Sequence, residues 1–85
     1  MPEITVYTTE PCAYCRQAKA LLAKRGLEYS EINLAKDADG RAELANRTGM
    51  MTFPQVLVGD TLVGGFTELN AADQSGRLAE LVQAA

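Results

Sequence analysis

The 85-residue sequence contains no histidine, no tryptophan and only two cysteines. Without histidine it can form neither a cysteine-histidine nucleophile pair nor a zinc site with histidine ligands. Two cysteines are also too few for the disulfide framework that stabilises many small secreted domains. The chemistry of this chain must therefore come from thiols or from carboxylates.

A strong charge of one sign is absent as well, because eight basic and eleven acidic residues give a net charge of -3. The basic residues are scattered along the chain, so we expect no nucleic-acid partner. No apolar run approaches the roughly 20 residues that span a membrane, and residues 1–7 lack the features of a signal peptide. We therefore expect a cytoplasmic protein with no membrane partner.

The length of the chain allows one hydrophobic core and is too short for two. The hydrophobic share of 47% and the charged share of 22% are ordinary for a soluble globular protein. We expect a single domain that spans residues 1–85, with all functional groups in one site.

Strand and helix patterns alternate through the first half of the sequence. β-branched residues predict a strand over residues 3–8. An apolar stripe that includes Cys15, Ala18 and Leu22 predicts an amphipathic helix over residues 12–25, with Gly26 at its end. A weaker alternation predicts a second strand over residues 27–34.

The second half is predicted to contain a short helix, a hairpin and a final helix. Residues 37–40 are typical of a turn or cap, and a short helix then runs to about Thr48 and ends at Gly49. Two β-rich runs joined by Gly59 and Asp60 indicate a hairpin. Asp73 is predicted to cap the final helix, whose apolar face carries Leu78, Leu81 and Val82.

The resulting order is β-α-β-α-β-β-α, which predicts an α/β fold with a four-stranded mixed sheet. The first two strands should be parallel, because a helix joins them, and the hairpin should be antiparallel. This order places Cys12 at the carboxyl end of the first strand and at the first turn of a helix.

The two cysteines are three residues apart, and this spacing predicts a redox pair. Backbone N–H groups and the helix dipole favour a thiolate at Cys12, which makes it the nucleophile. Cys15 lies on the same helical face and can resolve a mixed disulfide formed by Cys12. A structural disulfide or half of a zinc site is the alternative, but two further zinc ligands are missing and structural disulfides are uncommon in the cytosol.

Four short motifs occur at set distances from one another: Tyr7-Thr8, Cys12-Ala13-Tyr14-Cys15, Thr52-Phe53-Pro54-Gln55 and Gly64-Gly65-Phe66. Together they resemble the successive signatures of glutaredoxins. The resemblance implies a thioredoxin-like domain and an enzyme that reduces protein disulfides and protein-glutathione mixed disulfides. It also implies a monomer with glutathione as co-substrate, and no tightly bound cofactor.

The resemblance further implies a glutathione groove beside Cys12. The bond before Pro54 is expected to be cis, which turns the Phe53 backbone toward the thiol. Its free N–H and C=O groups could then pair with an extended ligand as they would with an added strand. Arg41 would meet the glycyl carboxylate, or it is simply a solvated helix residue. The double glycine would meet the γ-glutamyl end, or it only marks a bend. The implied binding residues are Tyr14, Arg41, Thr52, Phe53, Pro54, Gly65, Phe66 and Thr67.

Three positions depart from the glutaredoxin pattern. Thr9 replaces a common lysine and Thr67-Glu68 replaces a frequent acidic pair, which leaves open another low-molecular-weight thiol as the reductant. Ala13 replaces a common proline, and in this the sequence resembles glutaredoxins in which two chains share a [2Fe-2S] cluster. Cys12 of each chain would then be a metal ligand. A third possibility is a dedicated electron donor to ribonucleotide reductase, reduced by a flavoprotein reductase.

Overall fold

Four strands form one mixed sheet in the computed structural model, which describes residues 2–83. Met1 and residues 84–85 of the predicted domain lie outside the described residues. The strands are β1 (Ile4–Thr8), β2 (Ser30–Asn33), β3 (Gln55–Val58) and β4 (Thr61–Gly64).

The sheet has the order β2-β1-β3-β4. β1 is parallel to β2 and antiparallel to β3, and β3 is antiparallel to β4. The predicted mixed sheet and its strand directions are therefore confirmed. β2 is shorter than predicted at its start, because the Leu27 N–H donates to the carbonyl of Leu22 and still belongs to the end of the preceding helix.

The first helix, α1 (Ala13–Lys24), follows β1 directly. Cys12 is its N-cap residue, and its buried positions are Cys15, Ala18 and Leu22, as the stripe predicts. Gly26 follows with a φ of 70°, a left-handed conformation that suits glycine at a helix end. The cysteine pair thus lies where β1 meets α1.

The second helix, α2 (Ala38–Thr48), begins earlier than expected. The residues predicted as a turn are mostly helical, because the Asp37 carboxylate accepts a hydrogen bond from the Gly40 N–H at 2.8 Å and starts the helix there. Gly49, with a φ of 76°, ends the helix as predicted.

The end of the chain differs from the prediction. It forms two helices, α3 (Phe66–Ser75) and α4 (Arg77–Gln83), so the element order is β-α-β-α-β-β-α-α. Asp73 lies inside α3 and caps nothing. The N-cap of α3 is Gly65, whose N–H donates to the Glu68 carboxylate at 2.8 Å, and its C-cap is Gly76 with a φ of 86°.

The core joins the two central strands to three of the helices. Apolar side chains from β1, β3, α1, α3 and α4 form one buried cluster. Fully buried members such as Val6, Leu22 and Leu69 each contribute about 1.5–3 kcal/mol to folding. This packing fixes α1 against β1 and therefore fixes the position of the cysteine pair. Within residues 2–83, no helix combines the length and apolar character needed to cross a membrane.

Candidate active site

Cys12 and Cys15 form a disulfide with their Cα atoms 5.3 Å apart. The two cysteines differ in exposure, because Cys12 is partly exposed whereas Cys15 is only 2% exposed. An incoming thiol or disulfide can therefore reach Cys12 but not Cys15. This difference supports the roles of Cys12 as the attacking residue and Cys15 as the resolving residue.

The Cys12 sulfur also accepts a hydrogen bond from the Cys15 N–H at 3.1 Å. Cys12 adopts an extended conformation, as a helix N-cap residue does, and thereby directs its sulfur toward the unpaired N–H groups of the first turn. In the reduced protein the same N–H and the helix dipole stabilise negative charge on that sulfur. The local fold thus supplies groups that can favour a Cys12 thiolate without a histidine.

A shallow groove of about 170 Å³ lies beside the cysteine motif. It contains every predicted glutathione-binding residue except Arg41. Glu68, which the sequence marked only as part of a departure from the glutaredoxin pattern, also lines it. Three segments form it: the start of α1, the loop before β3 and the start of α3. The lining residues are Tyr14, Thr52, Phe53, Pro54, Gly65, Phe66, Thr67 and Glu68.

The loop before β3 contains a cis peptide bond between Phe53 and Pro54, as the family resemblance predicts. Pro54 itself is buried, whereas Thr52 is exposed and Phe53 half-buried. The backbone at Thr52 and Phe53 is therefore next to the groove while Pro54 anchors it. The Glu10–Pro11 bond before the cysteines is also cis, which the sequence did not predict.

Tyr14 is the most prominent side chain of the groove. Its side chain is 60% exposed, although tyrosine is mostly apolar, and its ring stacks on that of Phe66. The ring thus forms a wall between the cysteine motif and α3. Such an exposed aromatic wall offers apolar surface to a ligand of the groove.

Arg41 lies outside this groove. Its Nη1 atom donates to the carbonyls of Leu34, at 2.6 Å, and Ala35, at 2.9 Å, in the loop between β2 and α2. These bonds tie α2 to the end of β2. Its expected contact with a glycyl carboxylate stays a prediction.

A second groove, of about 410 Å³, is lined by both cysteines on the side of β2. Three of its residues form a network there. The Thr8 hydroxyl donates to the Glu31 carboxylate at 2.8 Å, and Lys19 lies 3.1 Å from the same carboxylate. The Thr8 hydrogen bond, together with Lys19, lowers the pKa of Glu31 despite the opposing effect of burial. The sequence could not indicate this network, because it depends on the pairing of β1 with β2.

Metal ligands are few in the described part of the chain. No group of three or more cysteine, aspartate or glutamate residues that could hold a metal occurs within residues 2–83. The two cysteines of the chain form the disulfide. A cluster with four thiolate ligands would therefore need sulfur atoms from outside one chain.

Comparison with known proteins agrees with this geometry. The glutaredoxin family model matches residues 4–63, which include both cysteines and Pro54. A glutaredoxin of Pseudomonas aeruginosa is 42% identical over 84 residues, covering 99% of this chain and 100% of the relative. Glutaredoxin 3 of Escherichia coli is 36% identical over 83 residues, covering 98% of this chain and 100% of the relative.

Solved structures also match nearly the whole chain. The solution structure of glutaredoxin from Brucella melitensis has a TM-score of 0.86 at 41% identity, covering 98% of this chain and 90% of that one. The crystal structure of a buckwheat glutaredoxin-glutathione complex has a TM-score of 0.86 at 28% identity, covering 95% and 76%. The predicted thioredoxin-like fold is thereby confirmed, and the chain belongs to the glutaredoxin family of thiol-disulfide oxidoreductases.

Proposed function

We propose that this protein uses glutathione to reduce protein disulfides and protein-glutathione mixed disulfides. The observation that carries the proposal is the groove formed by the start of α1, the Pro54 loop and the start of α3, which includes Tyr14 of the cysteine motif. Cys12, two residues before Tyr14, is partly exposed. The similar buckwheat protein, whose structure is that of a glutaredoxin-glutathione complex, supports glutathione as the ligand.

Removal of glutathione from a protein needs only Cys12. Its thiolate attacks the glutathione sulfur of the mixed disulfide, a Cys12-glutathione disulfide forms, and the protein leaves as a thiolate that takes a proton. A second glutathione thiolate then attacks the glutathione sulfur bonded to Cys12. Glutathione disulfide is released, and the Cys12 thiolate is restored.

Reduction of a protein disulfide needs both cysteines. Cys12 attacks one sulfur of the protein disulfide and displaces the other as a thiolate. Cys15 then loses its proton and attacks the Cys12 sulfur, which forms the intramolecular disulfide and releases the protein as a dithiol. Two glutathione molecules reduce the Cys12–Cys15 disulfide and leave as glutathione disulfide.

The groove would bind glutathione with its cysteine sulfur toward Cys12. An extended peptide can pair with free backbone groups, as an added strand does, and the Phe53 backbone offers such groups. The stacked rings of Tyr14 and Phe66 would cover its apolar atoms. The γ-glutamyl end would lie near Gly65 and Thr67.

The proposal places the protein in the cytoplasm, because a cysteine pair that cycles through the dithiol form suits a reducing compartment. It also includes a monomeric state. Its substrates are disulfide or glutathionylated proteins. Another low-molecular-weight thiol as reductant, a [2Fe-2S] dimer and a dedicated donor to ribonucleotide reductase are the competing outcomes of the test.

The test measures reduction of a glutathionylated peptide and of a protein disulfide, with glutathione and glutathione reductase as the regenerating system. Wild type should reduce both substrates. Cys15→Ser should retain activity on the glutathionylated peptide and lose it on the protein disulfide, whereas Cys12→Ser should lose both.

A wild-type protein inactive toward both substrates would contradict the proposal. Turnover with thioredoxin reductase instead of glutathione would then favour the dedicated donor, and regeneration by a different small thiol would change only the reductant. A coloured dimer from anaerobic preparation, converted to a colourless monomer by Cys12→Ser, would favour the cluster carrier.

A further inference from the structure

The buried side chain of Gln55 holds the loop that forms one wall of the groove. Gln55 begins β3 directly after Pro54 and is only 1% exposed. Its amide nitrogen donates to two loop carbonyls, that of Met50 at 3.0 Å and that of Thr52 at 3.0 Å. The amide orientation follows from these contacts, since the flipped amide would place its oxygen against both carbonyls.

Thr48 completes this network from the end of α2. Its hydroxyl lies 2.8 Å from the Gln55 amide oxygen and accepts a hydrogen bond from the Met50 N–H at 3.2 Å. The same hydroxyl is 3.0 Å from the Leu44 carbonyl, inside the helix. The loop is therefore connected to α2 and to β3 through side chains and not only through the chain itself.

The other residues of β3 show why this network concerns the loop. All four strand residues are buried, and the three after Gln55 are the apolar residues Val56, Leu57 and Val58. An amide buried at the first position destabilises the fold unless its hydrogen bonds are made. The Gln55 amide bonds to Thr48 and to the two loop carbonyls, and to no other residue of β3. Its hydrogen bonds therefore stabilise the conformation of the loop and not the strand.

We propose that Gln55 is a positioning residue for the small-thiol ligand of the groove. By directing the Met50 and Thr52 carbonyls into the protein, it fixes the backbone of Thr52 and Phe53 in the conformation that faces the groove. Thr48 supports it in this role. The inference rests on the proposed glutathione-dependent function and adds a residue that does not itself line the groove.

Gln55→Met tests this role, because methionine keeps the length and most of the packing but donates no hydrogen bond. KM for a glutathionylated peptide should rise about tenfold while kcat changes less than about twofold, since the loss affects binding and not the cysteine chemistry. Amide hydrogen exchange of residues 50–53 should also become faster.

Two comparisons separate positioning from a general loss of stability. Val82→Ala removes apolar atoms from a buried side chain of α4, outside the groove, and should lower stability without changing KM or loop exchange. Thr48→Val should repeat the effect of Gln55→Met more weakly, whereas Thr48→Ser keeps the hydroxyl and should retain the wild-type KM. If Gln55→Met does not fold, the two Thr48 variants decide the question.

The outcomes distinguish the two proposals. A wild type inactive with every glutathione substrate would overturn the proposed function and this role together. An active wild type, with KM in Gln55→Met and Thr48→Val no higher than in Val82→Ala, would overturn the role of Gln55 alone.

Discussion

The ring of Tyr14 stacks on the ring of Phe66, with centroids 6.1 Å apart and planes inclined by 24°. Tyr14 lies between the two cysteines, and Phe66 is the first residue of α3. The contact thus connects the reactive end of α1 to the far wall of the groove. It is the one stacked aromatic pair that the structure shows within residues 2–83.

Loss of this contact should weaken ligand binding more than it slows the chemistry. An aromatic pair contributes about 0.5–1.5 kcal/mol, so Tyr14→Ala and Phe66→Ala should each raise KM for a glutathionylated peptide about two- to tenfold. Tyr14→Phe keeps the ring and serves as the control. An equal effect of Tyr14→Phe would show that the hydroxyl, and not the stacking, is what matters.

Substitution of Gly64 by any larger residue should lower the stability of the fold. Its φ is 123°, and a Cβ atom there would lie 2.9 Å from the Glu68 side chain. We expect Gly64→Ala to lower the free energy of unfolding by about 1–3 kcal/mol in urea denaturation, because the strained backbone is not available to alanine. Gly65→Ala is the matched control, since Gly65 has an ordinary φ of -84°. Equal losses in the two variants would contradict the backbone explanation.

The ion pair between Arg25 and Asp73 should make stability depend on pH. Two hydrogen bonds of 2.9 and 2.8 Å join the guanidinium to the carboxylate and lower the pKa of Asp73. The carboxylate's contribution is then fully present above the ordinary aspartate pKa of about 3.9 and is lost as pH falls through the lower folded value. The ion pair connects the end of α1 to α3.

Asp73→Asn should therefore lower Tm at pH 7, and the difference from wild type should shrink toward pH 2. Added salt should reduce the difference as well, because the Arg25 side chain of the pair is half exposed. Glu43→Gln removes an exposed carboxylate of α2 that forms no ion pair within the described chain, and it serves as the control. A difference between Asp73→Asn and wild type that stays constant with pH would exclude the ion pair as its cause.

The helix that the sequence did not predict should be essential for the fold. Leu69 in α3 is completely buried in the main core, so Leu69→Ala should lower the free energy of unfolding by about 2–5 kcal/mol. Leu81→Ala, at a partly buried position packed on the same core, should have a smaller effect. Urea denaturation followed by circular dichroism measures both, and a small loss for Leu69→Ala would show that α3 is peripheral.

The first half of the fold was largely predictable because local signals agreed with one another. The apolar stripe of α1 and the glycine at its end both indicate the same helix, and Asp37, the N-cap of α2, lies in the segment that the sequence predicts as a turn or cap. The last helices were less predictable. Asp73 resembles an N-cap in sequence, but in the structure its carboxylate pairs with Arg25, a residue distant in sequence.

The sequence by itself determined the thiol chemistry, because two cysteines three residues apart, in a chain without histidine, leave few other kinds of reactive site. Its motifs also identified most of the groove residues. Only the tertiary structure decided how they meet: that Arg41 binds backbone carbonyls, that Glu31 joins Thr8 and Lys19, and that Gln55 holds the Pro54 loop. Such contacts depend on strand register and helix packing, which bring together side chains whose spacing in the sequence carries no signal.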